Sequence, residues 1–364
     1  MANLPDVRRA IVKDVLKSSK DGKVPHERIW KRYTSNVALG VLDGAPENER
    51  ERVAVTAKRI GVSKSLVQSL LDEGHLTRRS ARIKPVLSEK QRAQRVSRTL
   101  LFLDEKTCEF EPMYDIVHID EKWFNEDIDG RSYLLLPNEE PPQRHCRSKR
   151  HMPKTMFLAA VARPRYDYQR KTMFDGKLRI WPLVEHYTAQ RNSRNRPAGT
   201  VLTKIRNIPS IDRGVIKEFL LTAVIPAIKT KWPARHRGRN ILIQQDNAKL
   251  HDSSHGPDDA AAGTADGWNI CMFPQPANLP DGNVLDLGFF TSIQNIQIER
   301  PIYSTEALIT AVIDAYNRLS SATLDDVFLS LQNVMICILQ SKGGNAYMLP
   351  HMGKQKLRRE GRLP

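Results

Sequence analysis

Ile241-Leu242-Ile243-Gln244-Gln245-Asp246-Asn247-Ala248-Lys249-Leu250-His251 is the stretch on which the reading of the fold turns. Three large apolar residues run into a polar tip that carries one carboxylate. The pattern predicts a buried strand that delivers Asp246 to a sheet edge, a rigid support for a reactive group. Two further stretches share the design. Asp115-Ile116-Val117-His118-Ile119-Asp120-Glu121 alternates apolar and polar residues and ends on carboxylates. Asn283-Val284-Leu285-Asp286-Leu287-Gly288-Phe289-Phe290 embeds a third acid in an apolar run. One acid in such a run is ordinarily a capped turn or a paired core charge. Three in matching surroundings point to a shared metal site.

Carboxylates brought within a few ångströms repel one another, so they take up protons or hold cations. An all-oxygen donor set suits Mg²⁺ or Mn²⁺. Two such ions about 3.5–4 Å apart clamp the attacking and leaving oxygens of an in-line phosphoryl displacement. From the residues alone, the expected activity is metal-dependent phosphodiester chemistry.

Asp120-Glu121-Lys122-Trp123-Phe124, Gln245-Asp246-Asn247-Ala248 with His251, and the block around Asp286 resemble the three catalytic blocks of a mariner-like DNA transposase. Thirty-nine residues separate Asp246 from Asp286, as in the branch of that family with three aspartates. The resemblance runs from about Asp115 to the C-terminus and takes in Ser148-Lys149-Arg150, Arg196-Pro197-Ala198-Gly199-Thr200 and Lys342-Gly343-Gly344-Asn345. It implies an RNase H-like α/β catalytic domain with a mixed sheet flanked by helices, preceded by a helix-turn-helix DNA-binding region. It also implies two Mg²⁺ (or Mn²⁺) ions held by Asp120, Asp246 and Asp286, with Glu121, Asn247 and His251 around them. The implied partners are double-stranded DNA, as terminal inverted repeats and TA target sites, and a second copy of the chain in a homodimer. Asp281 competes for the third position, because its 34-residue separation from Asp246 matches another branch. It sits in a Pro-Asp-Gly turn, where aspartate commonly bonds the nearby backbone.

The 364 residues carry a net charge of +16, which favours a polyanion such as nucleic acid as partner. Four scattered cysteines argue against a zinc module or a disulfide framework. No leader-type apolar core is evident at Met1-Ala2-Asn3, and no apolar run reaches membrane-spanning length, so the expected compartment is cytosolic or nuclear, with the nucleus preferred.

Along the chain, 1–39 reads as a shortened first helix-turn-helix, with helices over Asp6–Lys17 and His26–Tyr33 but without the helix that completes such a unit. Residues 40–49 read as a linker. Residues 50–86 read as a helix-turn-helix: Val53–Ile60, a turn at Gly61, and a second helix capped by Ser63. Ala57 and Val67 would supply its core, while Lys64, Ser65 and Gln68 face the major groove. Arg78, Arg79 and Arg82 follow as candidate phosphate contacts. Residues 87–114 are expected to hold a connecting helix opened by the capping box Ser88-Glu89-Lys90-Gln91. The catalytic domain then fills 115–364. Strands are expected over Ile116–Ile119, Tyr133–Leu136 and Met156–Ala162. A helix is expected over Val215–Trp232, kinked by Pro226. Arg144, Arg147, Lys149 and Arg150 form one basic loop, and Arg194 and Arg196 another; each reads either as solvated surface or as a DNA contact. Two other functions compete with transposition: a transposase-derived protein that binds DNA without cutting it, and a nuclease of the same fold acting on RNA–DNA hybrids.

Overall fold

The computed structural model describes residues 38–40, 53–78, 84–127, 136, 139–143, 153–187, 192, 204–208, 211–233, 239–246, 257–299, 302 and 304–363. The chain divides into two compact units, 1–83 and 84–364. The helices expected at Asp6–Lys17 and His26–Tyr33 lie outside the described residues. So do the 40–49 linker and the Tyr133–Leu136 strand, apart from Gly40 and Leu136.

In the first unit, helix α1 (Val53–Ile60) and helix α2 (Lys64–Asp72) meet at Gly61, whose φ of 70° is the left-handed conformation that the turn requires. The Val62 amide closes the turn on the Ala57 carbonyl at 3.0 Å. Ser63 caps α2, its hydroxyl accepting from the Leu66 amide at 3.2 Å. Ala57, Val67 and Leu70 are buried with Ala38 in a small core.

The second unit opens with helix α3 (Glu89–Leu100), entered through the full capping box: Ser88 accepts from the Gln91 amide, and Gln91 from the Ser88 amide. A five-stranded sheet follows. Its strands are β1 (Ile116–Asn125), β2 (Lys154–Ala162), β5 (Lys177–Pro182), β8 (Asn240–Gln245) and β9 (Asn269–Pro274), in the order β5-β2-β1-β8-β9. The β5-β2-β1 pairings are antiparallel and β1-β8-β9 parallel, so the sheet is mixed. A hairpin of β3 (Arg165–Asp167) and β4 (Thr172–Phe174), and a second pair, β6 (Val184–Tyr187) with β7 (Lys204–Asn207), had no counterpart in the sequence reading.

Two strands differ from expectation. β1 continues past Ile119 to Asn125, paired with β2 throughout, so Asp120 lies within the strand and not at its end. β8 is an inner strand between β1 and β9, so Asp246 leaves the C-terminal end of a central strand and not a lateral edge. The physical reason is visible in its composition: Ile241 and Ile243 are fully buried on one face, and Gln244 is buried on the other.

The two faces of the sheet carry separate cores. Val117, Ile119, Leu158, Ala160, Ile241 and Ile243 face a long helix and Trp232. That helix runs as α4 (Arg213–Phe219), a wide π-turn (Leu220–Val224) and α5 (Ile225–Lys231). Pro226 follows the wide turn, which absorbs the missing N–H and the ring's clash with the preceding turn, so the helix continues through it. A short helix α6 (Pro257–Thr264) leads into β9. The opposite face, with Ile116, Phe124, Phe157 and Ala159, is covered by α7 (Phe290–Gln297), α8 (Thr305–Arg318) and α9 (Ser321–Gln340). Helix α9 does reach the length and apolarity of a membrane span, contrary to the sequence expectation. Here Leu324, Phe328 and Leu331 are buried in the core that covers this sheet face, which accounts for the composition. A six-residue helix α10 (Lys354–Arg359) ends the described chain.

Candidate active site

Side chains alternate across a strand, and β1 and β8 run parallel with His118 opposite Gln244. Asp120 and Asp246 each lie two residues beyond that pair, so both side chains fall on the face covered by α7, α8 and α9. The third acid arrives from that covering layer. After a short 3₁₀ turn (Pro280–Gly282) the chain enters a π-turn over Leu285–Phe289, closed by the Phe290 amide on the Leu285 carbonyl. Val284, Leu285, Phe289 and Phe290 are fully buried and fix this turn to the sheet, leaving Asp286 exposed. The Phe290 ring lies edge-on to Phe124 of β1 at 6.2 Å. The apolar anchor is legible in the sequence block, which also predicts an acid aimed inward; the π-turn instead leaves Asp286 at the surface.

The acids interact. Burial, then the charges of Asp286 and Glu121, push the Asp120 carboxyl up to about 9; a hydrogen bond from the Glu121 amide at 2.8 Å opposes the shift, and Asp246 adds to it. Although Asp286 is exposed by surface area, the protein packed around its carboxyl desolvates it and raises its pKa; the Lys122 charge and a hydrogen bond with Asp120 pull it back, and Asp246 raises it further. Both shifts have the same direction: desolvation and the neighbouring carboxylates disfavour a full set of negative charges here. Lys122, two residues beyond Asp120 on the same strand face, stands over the Phe290 ring at 5.6 Å.

Among the described residues, no three or more His, Cys, Asp or Glu side chains are grouped closely enough to hold a metal ion as they stand. The donor chemistry fits a hard divalent cation: the charges of Asp246 and Asp286 act on Asp120, that of Asp246 acts on Asp286, and an all-oxygen set with mutual repulsion favours a cation between them.

Asp281, the rival third acid, faces elsewhere. Its carboxylate accepts from the Tyr347 hydroxyl and lies 3.7 Å from the Arg95 guanidinium. Arg95 is fully buried and donates to the carbonyls of Asn278 (2.9 Å), Gly343 (3.0 Å) and Gly344 (3.3 Å). The Lys342-Gly343-Gly344-Asn345 block is thus a clasp around α3. Gly343, at φ 81°, lies so close to α3 that a Cβ there would meet the Arg92 carbonyl oxygen at 2.3 Å.

A buried amide network beneath the acids was missed by the sequence reading. Gln244 donates to Gln275 (3.0 Å) and the Gly282 carbonyl (2.8 Å), contacts His118 Nδ1 (3.3 Å) and accepts from Arg98 (2.8 Å). Arg98 lies against the Phe273 ring, 3.2 Å from its centroid. Asn283 joins β1 to the turn of the third acid, donating to the Ile119 carbonyl at 3.0 Å and reaching Asp120 Oδ2 at 3.4 Å. The available signals were an uncharged amide inside an apolar strand and two arginines, Arg95 and Arg98, one helical turn apart.

Of the other expected residues, Glu121 is half-buried beside Asp120. Lys64, Ser65 and Gln68 are exposed on the face of α2 opposite Val67 and Leu70, with Gln68 bonded to Asp72 at 2.8 Å and Ser65 to Ser63 at 2.9 Å. Arg78 is exposed. Asn247, His251, Arg79, Arg82, Arg144, Arg147, Lys149, Arg150, Arg194 and Arg196 lie outside the described residues.

No protein-family model matches the sequence, and no curated protein matches it either. Solved structures do. A pre-cleavage Mos1 transpososome is similar at a TM-score of 0.58 and 16% identity, over 95% of this chain and 100% of that one. The Mos1 transposase paired-end complex with left transposon end gives 0.57 and 16%, over 89% and 90%. The Mos1 strand transfer complex gives 0.55 and 15%, over 95% and 99%. The mixed sheet flanked by helices is therefore the RNase H-like fold found in a mariner transposase.

Proposed function

We propose that the chain is a DNA transposase of mariner-like type, which cleaves phosphodiester bonds at element ends and transfers the freed strand into target DNA. What supports the reading is that Asp120, Asp246 and Asp286 lie near enough for their charges to act on one another, in a chain whose fold is similar to that of the Mos1 transpososome. Those three carboxylates would hold Mg²⁺ or Mn²⁺; Mos1 paired-end complexes with each metal are among the similar structures. When bound, divalent ions activate water or a 3′-hydroxyl and neutralise charge on the leaving oxygen.

The chain's own residues prepare that chemistry. β1 and β8 hold two acids at matching heights on adjacent strands, and the π-turn brings the third across from the covering layer. Lys122 adds a positive charge beside Asp286, where the phosphate backbone of a bound duplex would pass. The exposed Lys64, Ser65 and Gln68 on α2 are positioned to enter a major groove, and the net charge of +16 supplies sequence-independent attraction. A homodimer acting on terminal inverted repeats and TA sites, in the nucleus, completes the reading.

The test is nicking of an element-end duplex by the full chain. Cleavage in Mg²⁺ or Mn²⁺, its loss in EDTA and its abolition by Asp246→Ala are expected. Undiminished cleavage by Asp246→Ala refutes the proposal, and tight duplex binding with no nicking in either metal favours a transposase-derived binding protein.

A further inference from the structure

Asn283 lies three residues before Asp286, yet its side chain is committed to the first acid. It is 1% exposed, so each of its polar atoms must be satisfied from within the protein. Its carboxamide oxygen accepts from the Leu285 amide at 3.1 Å, and its backbone carbonyl accepts from the Leu287 amide at 2.9 Å. The carboxamide nitrogen faces the Ile119 carbonyl at 3.0 Å and Asp120 Oδ2 at 3.4 Å. This orientation cannot be reversed. The Leu285 amide can only donate and the Ile119 carbonyl can only accept, so the nitrogen must point to β1.

Both oxygens of Asp120 are therefore engaged, Oδ1 by the Glu121 amide at 2.8 Å and Oδ2 by Asn283. Two donors from different elements set the rotation of the carboxylate. Asn283 is itself held by the second acid's strand, because Gln244 of β8 donates to the carbonyl of the adjacent Gly282 at 2.8 Å. Two side-chain amides, Asn283 and Gln244, thus tie together the strand of Asp120, the strand of Asp246 and the turn of Asp286.

We infer that Asn283 is a positioning residue for a divalent ion: it orients the Asp120 carboxylate as a ligand and locks the π-turn of Asp286 onto β1. The inference rests on the metal site proposed above. Residues that hydrogen-bond to metal ligands typically contribute 10–100-fold to metal affinity, by fixing the ligand's orientation.

The experiment is Mn²⁺ titration of the full chain by calorimetry and by electron paramagnetic resonance, without DNA. Asn283→Ser keeps a hydroxyl to cap the Leu285 amide but is too short to reach Asp120, and its Kd for Mn²⁺ is expected to rise by about 10–100-fold. Asn283→Thr, with the same hydroxyl and one more methyl to fill the space, replaces it if the serine variant does not fold. Lys177→Met is the control for general destabilisation, because Lys177 caps the carbonyls of Asn317 and Leu319 far from the acids in sequence and strand register. It is expected to lower the unfolding midpoint in EDTA without changing the Kd. A folded Asn283 variant with wild-type Mn²⁺ affinity overturns the inference and leaves the metal site intact. A wild-type chain that binds no Mn²⁺ overturns both.

Discussion

Replacing Asp281 by alanine removes the carboxylate that faces Arg95 at 3.7 Å and accepts the Tyr347 hydroxyl. Breaking one side of a buried ion pair costs about 3–5 kcal/mol when the other charge is left uncompensated. Two features reduce that figure here. Asp281 is 29% exposed at its side chain, and Arg95 keeps the carbonyls of Asn278, Gly343 and Gly344 as acceptors. The expected loss is therefore about 1–3 kcal/mol, against a typical domain stability of about 5–15 kcal/mol. The variant should fold, unfold at a lower urea concentration with an unchanged slope, and still nick DNA in Mn²⁺. Asp286→Ala acts in the opposite sense. It removes an exposed acid that repels Asp246, so stability in EDTA should be unchanged or higher. Loss of a metal ligand is worth several kcal/mol of barrier, so nicking should fall by about a thousandfold or more. The assay pairs urea unfolding, followed by tryptophan fluorescence, with nicking by the same preparations. An Asp281→Ala protein that unfolds normally but cannot cut, beside an Asp286→Ala protein that cuts, would refute the assignment of the third acid.

Binding to arbitrary duplex should weaken steeply with salt, and combined alanine substitution at Lys64 and Gln68 should reduce preference for the element end, read by competition gel shifts; a preference that survives the double substitution excludes α2 as the reading helix. His118 is fully buried, and its pKa is lowered to about 3 by burial and then by the Arg98 charge, from an ordinary 6.5. The unfolded chain takes up this proton first, so the contribution is complete above pH 6.5 and is lost as pH falls toward 3. Stability measured across that window should fall less steeply in His118→Gln, and an identical slope contradicts the assignment.

The parts legible in the sequence were those where local pattern and tertiary environment agree. The alternation around Asp120, the apolar run before Asp246 and the paired phenylalanines after Asp286 each encode a face as well as an element. Ser63 and Ser88 cap their helices as their positions require. The parts that were illegible depend on partners distant in the chain. Arg95 and Arg98 look like solvated helix surface, but the carbonyls that make their burial tolerable come from Pro274, Asn278, Gly343 and Gly344, some 180–250 residues away. Strands β3 to β7 are short, three to six residues each, and their pairing, not their composition, makes them strands. The interior place of β8 also depended on β9, which covers its other side.

The wide turn at Leu285–Phe289 bears on how the chain tolerates insertions and deletions. A π-turn holds one residue more than the α-helical path it interrupts, and each residue of an α-helix turns the side-chain direction by about 100°. Deleting one residue there would restore regular helix with little change in length, yet it would swing the acid about a quarter-turn away from Asp120 while the buried phenylalanines kept their anchorage. Loops between the acids can lengthen or shorten while the acids still meet. At this turn, a change of one residue redirects the carboxylate itself, so the count of residues within the turn is constrained far more tightly than the separation of thirty-nine that leads up to it.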